Sequence, residues 1–562
     1  MDSRSLVPAY ELLAQDIKGL GVEDAFGLMS DDTALLVSTL DGIGVRFHGA
    51  RHENNACAMA EGYAAATGRL GVAIIGRGPA TANAMHGAIY ALRTGSPVLL
   101  ILGEAPNGPR RHDRLGPDNK QLDAVGLLRA AGIPVFCPND ALSARRTLAQ
   151  AAAAARQSMA ALLLPTNVQA ARLDAGLPVE PAAPAAAVPA VAPRGPALQA
   201  AADALARSRK PLILAGGGAH KAGARDALVR LADHIGAALC TTLKAKDMFA
   251  GHPFNCGVVG SFSHGGGRRL IEQADCILAF GAALNRHTTS YGRALPTDVP
   301  LVQVDRDPAH IGRWYHADVA LAADVKLAAE QLLERLPARE PDAMPMRSPD
   351  NRRWLQEYRL DSEFQPQPTA RTMDPRSVGL ALDGLLPADR NIVWDVGNYL
   401  QAFPYLSVPG PAHVKVTSDF ASIGIGFGTA MGFACGTPDR RTVLVIGDGS
   451  FLMTMGELET VVREDLPLTI VLMNDCAYGS EWHYLKLRSM PVQMSMFPDI
   501  DYAPVAEAFG FQAATVRTLE ELRALAPMLR DPQGPVFLEC KINASIAAPH
   551  MLEIFEYETR KA

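Results

Sequence analysis

The sequence predicts an α/β protein of three doubly wound domains, each built on a parallel sheet. Three observations carry that expectation. The chain has 562 residues, 48% of them hydrophobic, too many for one core, so roughly two to four domains are expected. Short apolar runs alternate with alanine-rich helical stretches along the whole length, and continuous apolar strands separated by helices mark parallel sheets covered on both faces. Two proline-rich stretches, 173–197 and 336–351, favour extended tethers and leave three parts of roughly 150 to 200 residues, each domain-sized.

In the first part (1–172), GVAIIG (71–76) and SPVLLILG (96–103) are predicted strands. In the second (195–336) they are KPLILAGGG (210–218), ADCILAFGA (274–282) and VPLVQVD (299–305). In the third (352–545) they are NIVWDVG (391–397), TVLVIGDG (442–449), LTIVLMND (468–475) and GPVFLEC (534–540). A tail, 546–562, carries Met551, Leu552, Ile554 and Phe555 and is apolar enough that it is expected to dock.

Composition excludes several classes. Net charge is -6 with no basic stripe, so no nucleic-acid partner is expected. No run of apolar residues is long enough to span a membrane, and the start, MDSRSLVPAYELL, lacks the apolar core and small-residue cleavage site of a signal peptide. The eight cysteines form no C-x-x-C pair. A reduced, cytoplasmic protein without a zinc site is expected.

Gly447, Asp448, Gly449 and Ser450 end one predicted strand, and Asn474-Asp475 end the next. Between them Thr454 and Glu457 fit a capping box, which predicts a helix starting near Met455. A right-handed crossover makes the two strands parallel, so both polar clusters are expected at one carboxyl edge, where open α/β sheets bind ligands. Two carboxylates there suit a hard cation such as Mg²⁺ with positions left for phosphate oxygens. Glycines beside Asp448 let backbone N–H groups approach a phosphate. Alone, GDG also reads as a tight turn and Asn-Asp as a helix cap.

At this spacing the stretch resembles the diphosphate- and metal-binding motif of thiamine diphosphate (ThDP) enzymes, GDG followed about 25 residues later by Asn-Asn. Pyruvate decarboxylase, benzoylformate decarboxylase, benzaldehyde lyase and acetolactate synthase are members. The resemblance covers nearly the whole chain. It implies a pyrimidine-binding, a central nucleotide-binding-like and a diphosphate-binding domain, in that order, with ThDP and Mg²⁺ as cofactors. It implies Asp448, Asp475 and a main-chain oxygen of Ala477 as metal ligands, and Gly447, Gly449 and Ser450 around the diphosphate. Asp475 departs from the family's asparagine and adds a negative charge beside the metal. Gly397-Asn398-Tyr399 resembles the second diphosphate-contacting turn. Ile423 matches the side chain that wedges ThDP into its V shape, and Ala421 matches the residue whose carbonyl meets the 4'-amino group. Glu53, in RHENNACAMAEG, reads by itself as a helix-start carboxylate favoured by the macrodipole. By resemblance it is the glutamate that bonds N1' of the aminopyrimidine. In these enzymes the two halves of the site come from different subunits, which implies a homo-oligomer, a dimer at least and commonly a tetramer.

The resemblance to pyruvate decarboxylase-type enzymes further marks Asp31, His112 and Glu481 as acids or bases near the reacting carbons. A desolvated pair of Asp31 and Glu481 is expected to raise one carboxyl's pKa. Lys120 fits no branch and reads either as an anion contact or as a solvated side chain. The glycine-rich turn AGGGAHKAGA and Asp305 suit a nucleotide, so FAD or ADP in the central domain stays open. The first reading is a ThDP- and Mg²⁺-dependent lyase and carboligase, decarboxylating a 2-oxo acid, a small molecule, through an enamine. An acetolactate synthase-type transferase with FAD, a 2-hydroxyacyl-CoA lyase and a catalytically silent regulatory relative are the alternatives.

Overall fold

The computed structural model describes residues 5–108, 119–182, 189–340 and 344–560. The predicted apolar runs are all strands, and they lie in three six-stranded, wholly parallel sheets. The first sheet runs in the spatial order Arg46–Gly49, Asp24–Leu28, Gly71–Ile75, Val98–Glu104, Ala160–Pro165, Val135–Phe136. The third runs Val414–Val416, Arg390–Trp394, Arg441–Gly447, Leu468–Asn474, Val536–Lys541, Gln512–Val516. Both therefore share one topology, in which the first strand of the sheet lies beside the second on one side and the third on the other. The central sheet runs Asn255–Val258, Ala238–Thr241, Pro211–Ala215, Cys276–Phe280, Leu301–Asp305, Val319–Ala322, the arrangement of a doubly wound nucleotide-binding fold.

In each sheet the strand order reverses beside the first strand, and a crevice opens outside the carboxyl ends at that point. In the third sheet the crevice lies between Arg390–Trp394 and Arg441–Gly447, so Gly397 and Asp448 flank it. In the first it lies between Asp24–Leu28 and Gly71–Ile75, next to Asp31 and Asp32. In the central sheet the base of the crevice is filled by protein. The Gly218 N–H donates to the Gly281 carbonyl at 3.0 Å, and a Cβ on Gly216 would stand 2.2 Å from that same oxygen. Close contact between two turns accounts for these glycines. Asp305 accepts from the N–H of Asp307 at 2.9 Å, closing its own turn.

The first and third units share a continuous core, with Phe26, Met59 and Tyr63 packed together with Phe427, Met431 and Phe451. Its centre is the crossing of two small-residue helices, Glu53–Thr67 and Ile425–Gly436. A Cβ on Gly432 would lie 1.9 Å from the Met59 carbonyl oxygen, and one on Gly62 would lie 2.1 Å from that of Thr429. Only glycine permits backbones this close. At the rim of this joint His48 sits between Asp24 (3.0 Å) and Glu464 (2.9 Å). Burial alone would lower its pKa, but the bonds to Asp24, Cys435 and Glu464 hold it up to about 12.

The proline-rich stretches are tied down. The N–H of Glu180 donates to Asp16 at 2.7 Å, that of Asp324 to the Val191 carbonyl at 2.8 Å, and Arg347 pairs with Asp233 at 2.6 Å. No helix among the described residues is long and apolar enough to cross a membrane.

Candidate active site

The strand Arg441–Gly447 passes into a helix, Asp448–Thr454, with Gly447 in extended conformation as its N-cap. The expected capping box is absent. Thr454 closes this first helix, its hydroxyl donating to the Ser450 carbonyl at 3.2 Å. A second helix, Glu457–Arg463, starts two residues later without a side-chain cap. Glu457 is drawn instead to stronger buried donors in the first domain. Its carboxylate accepts the Arg51 N–H (3.0 Å), Asn55 Nδ2 (2.8 Å) and the Thr460 hydroxyl (2.6 Å).

Asp448 is buried and Asp475 half-buried, at adjacent carboxyl ends of the third sheet. The Ala477 N–H serves both carboxylates, and Cys476 between them holds the left-handed φ of 56° that turns the chain back. Burial raises the pKa of both carboxyls, and the charge of Asp448 raises that of Asp475 further. The nearby Lys541 is already engaged by Glu539, Asp499 and Asp501 at 2.9 to 3.2 Å. The Tyr399 ring lies on Gly397 and Gly447, where a Cβ would come within 2.5 and 2.8 Å. Among the described residues its buried hydroxyl completes no full hydrogen bond, with only the Gly447 N–H turned toward it, and it feels the charges of Asp395, Asp475 and Asp448. Two facing carboxylates and an orphaned hydroxyl at a crevice mouth form a hard-oxygen donor set. That set fits Mg²⁺ and the phosphate oxygens it would carry.

The turn Ala421–Gly424 lies against this cluster. Buried Asp395 accepts the Gly424 N–H at 2.7 Å and the Thr417 hydroxyl at 3.0 Å, and Ser450 bonds it as well. Ala421 holds φ 52°, a left-handed conformation that sets where its carbonyl points, and Ile423 is half-buried. On the other side, Glu53 opens its helix nearly buried, accepting from Asn83 Nδ2 at 3.1 Å. His86 is three residues further along the same helix as Asn83, Pro79–Thr94, and bonds Ser422. Residues three apart share a helix face, so this one face joins Glu53 to the Ala421–Ile423 turn. The two halves that the resemblance assigns to different subunits thus meet within one chain.

Three family models match the chain: the thiamine pyrophosphate enzyme N-terminal TPP binding domain over residues 8–124, the central domain over 198–332 and the C-terminal TPP binding domain over 395–540. The chain belongs to the thiamine pyrophosphate enzyme family. This family member is 26% identical over 535 residues to the acetolactate synthase isozyme 2 large subunit of Escherichia coli, with 94% of each chain covered. It is 29% identical over 534 residues to a protein of Pseudomonas aeruginosa named as a probable 2-ketoarginine decarboxylase, covering 93% of this chain and 92% of that one. A solved structure from Mycobacterium smegmatis, described as a thiamin diphosphate-dependent enzyme, superposes with a TM-score of 0.76 at 21% identity, over 96% of this chain and 100% of that one.

In this thiamine pyrophosphate enzyme, Gly397, Gly447, Asp448, Gly449, Ser450, Asp475 and Ala477 lie together at the carboxyl edge of the third sheet, the turn holding Ala421 and Ile423 is tied to Ser450 through Asp395, and Glu53 is linked to that turn through Asn83 and His86. Asn398 is there too, but its side chain is turned to the tail, with Nδ2 on the Ile546 carbonyl and Oδ1 on the Ala548 N–H. The acids expected for proton transfer are not paired. Asp31 is exposed and bonds Lys120 and Ser30, and the Lys120 bond lowers its pKa where a raised carboxyl was expected. Glu481 is exposed on the helix Gly479–Leu487, and among the described residues no hydrogen bond joins it to Asp31. His112 lies outside the described residues. Sequence reasoning missed Tyr399 and Glu457. The tyrosine stood within the recognised turn but was given no role of its own, and Glu457 was absorbed into a capping pattern.

Proposed function

We propose that this enzyme binds ThDP with Mg²⁺ and acts as a 2-oxo acid decarboxylase and carboligase, a C–C bond lyase. The observation that carries this reading is the joining of Glu53 to the Ala421–Ile423 turn through Asn83 and His86, with Asp395 tying the Gly424 end of that turn to Ser450, two residues beyond Asp448. When bound, the cofactor supplies a carbanion that attacks a carbonyl and stabilises the charge left by decarboxylation. The chain supplies the rest. Asp448, Asp475 and the Ala477 main chain would hold the metal, with Gly449 and Ser450 beside the diphosphate. Ile423 would shape the cofactor from below. Glu53, poised by Asn83, would exchange a proton with the aminopyrimidine. Glu481 would carry protons for the later steps.

The names of the relatives include both a synthase and a decarboxylase, and both reactions on a 2-oxo acid share the same first half. An FAD-bearing central domain belongs to the acetolactate synthase alternative, and a yellow purified protein with a flavin spectrum would favour it. A homo-oligomer, a dimer at least, and a cytoplasmic location complete the proposal. The test is a panel of 2-oxo acids and 2-hydroxyacyl-CoAs with added ThDP and Mg²⁺. Carbon dioxide and aldehyde or acyloin from a 2-oxo acid are expected. Failure of the wild-type protein to bind ThDP would overturn the reading.

A further inference from the structure

We infer that Glu457 is a positioning residue that couples the diphosphate half of the site to Glu53. This rests on the function proposed above and adds a residue outside the cofactor contacts. Glu457 is 1% exposed. Its two oxygens take four hydrogen bonds from three donor groups. The Arg51 N–H reaches both oxygens at 3.0 and 3.2 Å, Asn55 Nδ2 reaches Oε1 at 2.8 Å, and the Thr460 hydroxyl reaches Oε2 at 2.6 Å. Arg51 and Asn55 stand two residues before and two after Glu53. The carboxylate therefore grips the chain on either side of Glu53 and fixes where its helix begins.

The other end of the grip is the metal motif. Asp448 opens the helix Asp448–Thr454, and Glu457 opens the next one with only Met455 and Gly456 between them. That first helix is also held at Ser450 by Asp395, which fixes the Gly424 turn. A continuous stretch of ten residues, 448–457, six of them buried, thus runs from the proposed metal ligand to the clamp on Glu53. Occupation of the diphosphate half and placement of Glu53 are mechanically one event. At a contact between two domains, burying an ion is costly unless it is fully satisfied, and two of the three groups that satisfy this one flank Glu53.

The substitution Glu457→Gln keeps size but turns one acceptor oxygen into a donor facing donors, so at least one bond of the clamp must break. The experiment measures ThDP and Mg²⁺ affinity by calorimetry and C2–H/D exchange of the bound cofactor by NMR. The proteins compared are wild type, Glu457→Gln, Glu53→Gln and the double variant. Glu457→Gln is expected to bind ThDP with near wild-type affinity while exchange slows by about 10-fold, the scale of a small misplacement of a catalytic group. Because Glu457 acts through Glu53, the double variant should exchange no more slowly than Glu53→Gln alone. Asn55→Ala, which removes one donor from the opposite side, provides a milder probe should Glu457→Gln not fold, and should slow exchange in the same non-additive way. Wild-type exchange in the clamp variants, or additive slowing in the double variant, overturns the inference while leaving the proposed function standing. Loss of ThDP binding by the wild-type protein would instead remove the function it rests on.

Discussion

The side-chain amide of Asn398 is closed by Ala548: Oδ1 accepts the Ala548 N–H at 2.8 Å, while Nδ2 donates to the Ile546 carbonyl at 2.9 Å. The tail thereby starts from the crevice itself. From there the helix Pro549–Thr559 runs on to the central domain and the Glu481 helix. Glu553 accepts from Ser261, Glu556 pairs with Arg293, and Glu558 pairs with Arg488. Removing residues from Ala548 onward is expected to raise KM or lower kcat, because this cover and the Asn398 bond are lost together. Unchanged kinetics would show that the tail is not a lid.

Docking of that tail should depend on pH. His550 is packed against the rings of Phe262 and His287 at 5.8 and 6.1 Å. Burial, then the charges of His287 and His483, hold its pKa down to about 4. An undocked imidazole protonates near its ordinary value of about 6.5. Docking is therefore undiminished above that value and weakens as pH falls from there toward 4. Glu553, whose carboxyl burial raises, works in the opposite sense and offsets part of the loss. Hydrogen exchange over residues 549–559, corrected for intrinsic rates, is expected to show less protection at pH 5 than at pH 7. His550→Phe should flatten the difference.

Asp448→Ala should weaken ThDP binding by about 100-fold or more, at or beyond the upper range for groups that support a metal, because the diphosphate loses its cation bridge. Asp475→Asn restores the ligand that the resemblance implies and relieves the repulsion between two facing carboxylates, so calorimetry is expected to show binding retained. Wild-type affinity in Asp448→Ala would remove the metal assignment.

The parts of this site that could be read in the sequence are those fixed locally. Continuous apolar runs announced the strands because parallel strands are buried on both faces, and the spacing of Asp448 from Asp475 follows from one strand–helix–strand unit. What escaped depends on partners far away in the chain. Glu457 has the right spacing from Thr454 for a cap, yet bonds Arg51 and Asn55, about 400 residues earlier. Asp31 was expected to be an acid beside Glu481, and Lys120, 89 positions on, holds it ionised instead. The Tyr399 hydroxyl is conspicuous only once Gly397, Gly447 and three carboxylates have closed around it.

The close contact of the Glu53–Thr67 and Ile425–Gly436 helices joins domains that are not neighbours along the chain, so the same contact can form between neighbouring chains of an oligomer. Glu53→Gln and Asp448→Ala chains, each inactive alone, are to be co-expressed and purified as mixed assemblies. If neighbours exchange this contact, one of the two sites in each mixed pair is intact. Activity of the purified mixed pairs should then recover to about half of wild type, since one of their two sites is intact. That recovery is the expected result. Continued inactivity of verified mixed assemblies would assign the contact to single chains, as it stands in the structure.

The last prediction separates the two exposed acids. Asp31 pairs with Lys120, whose bond lowers its pKa, so it stays ionised at neutral pH and cannot donate a proton there. Its removal should act on the substrate's approach: Asp31→Asn takes one carboxylate from the Lys120 ammonium, which still has Asp32 at 3.9 Å, and is expected to change KM more than kcat. Glu481 begins a helix six residues beyond Asp475 and carries no such partner cation among the described residues. Glu481→Gln removes a transferable proton while keeping size and polarity. It is expected to leave ThDP affinity intact and to lower kcat by about 100-fold, within the range of general acid–base contributions. The product ratio should move toward carboligation when an acceptor aldehyde is supplied. Steady-state kinetics with product analysis by NMR checks both. If Glu481→Gln turns over as wild type, Glu481 is a surface residue and the proton carrier must be sought elsewhere around the crevice.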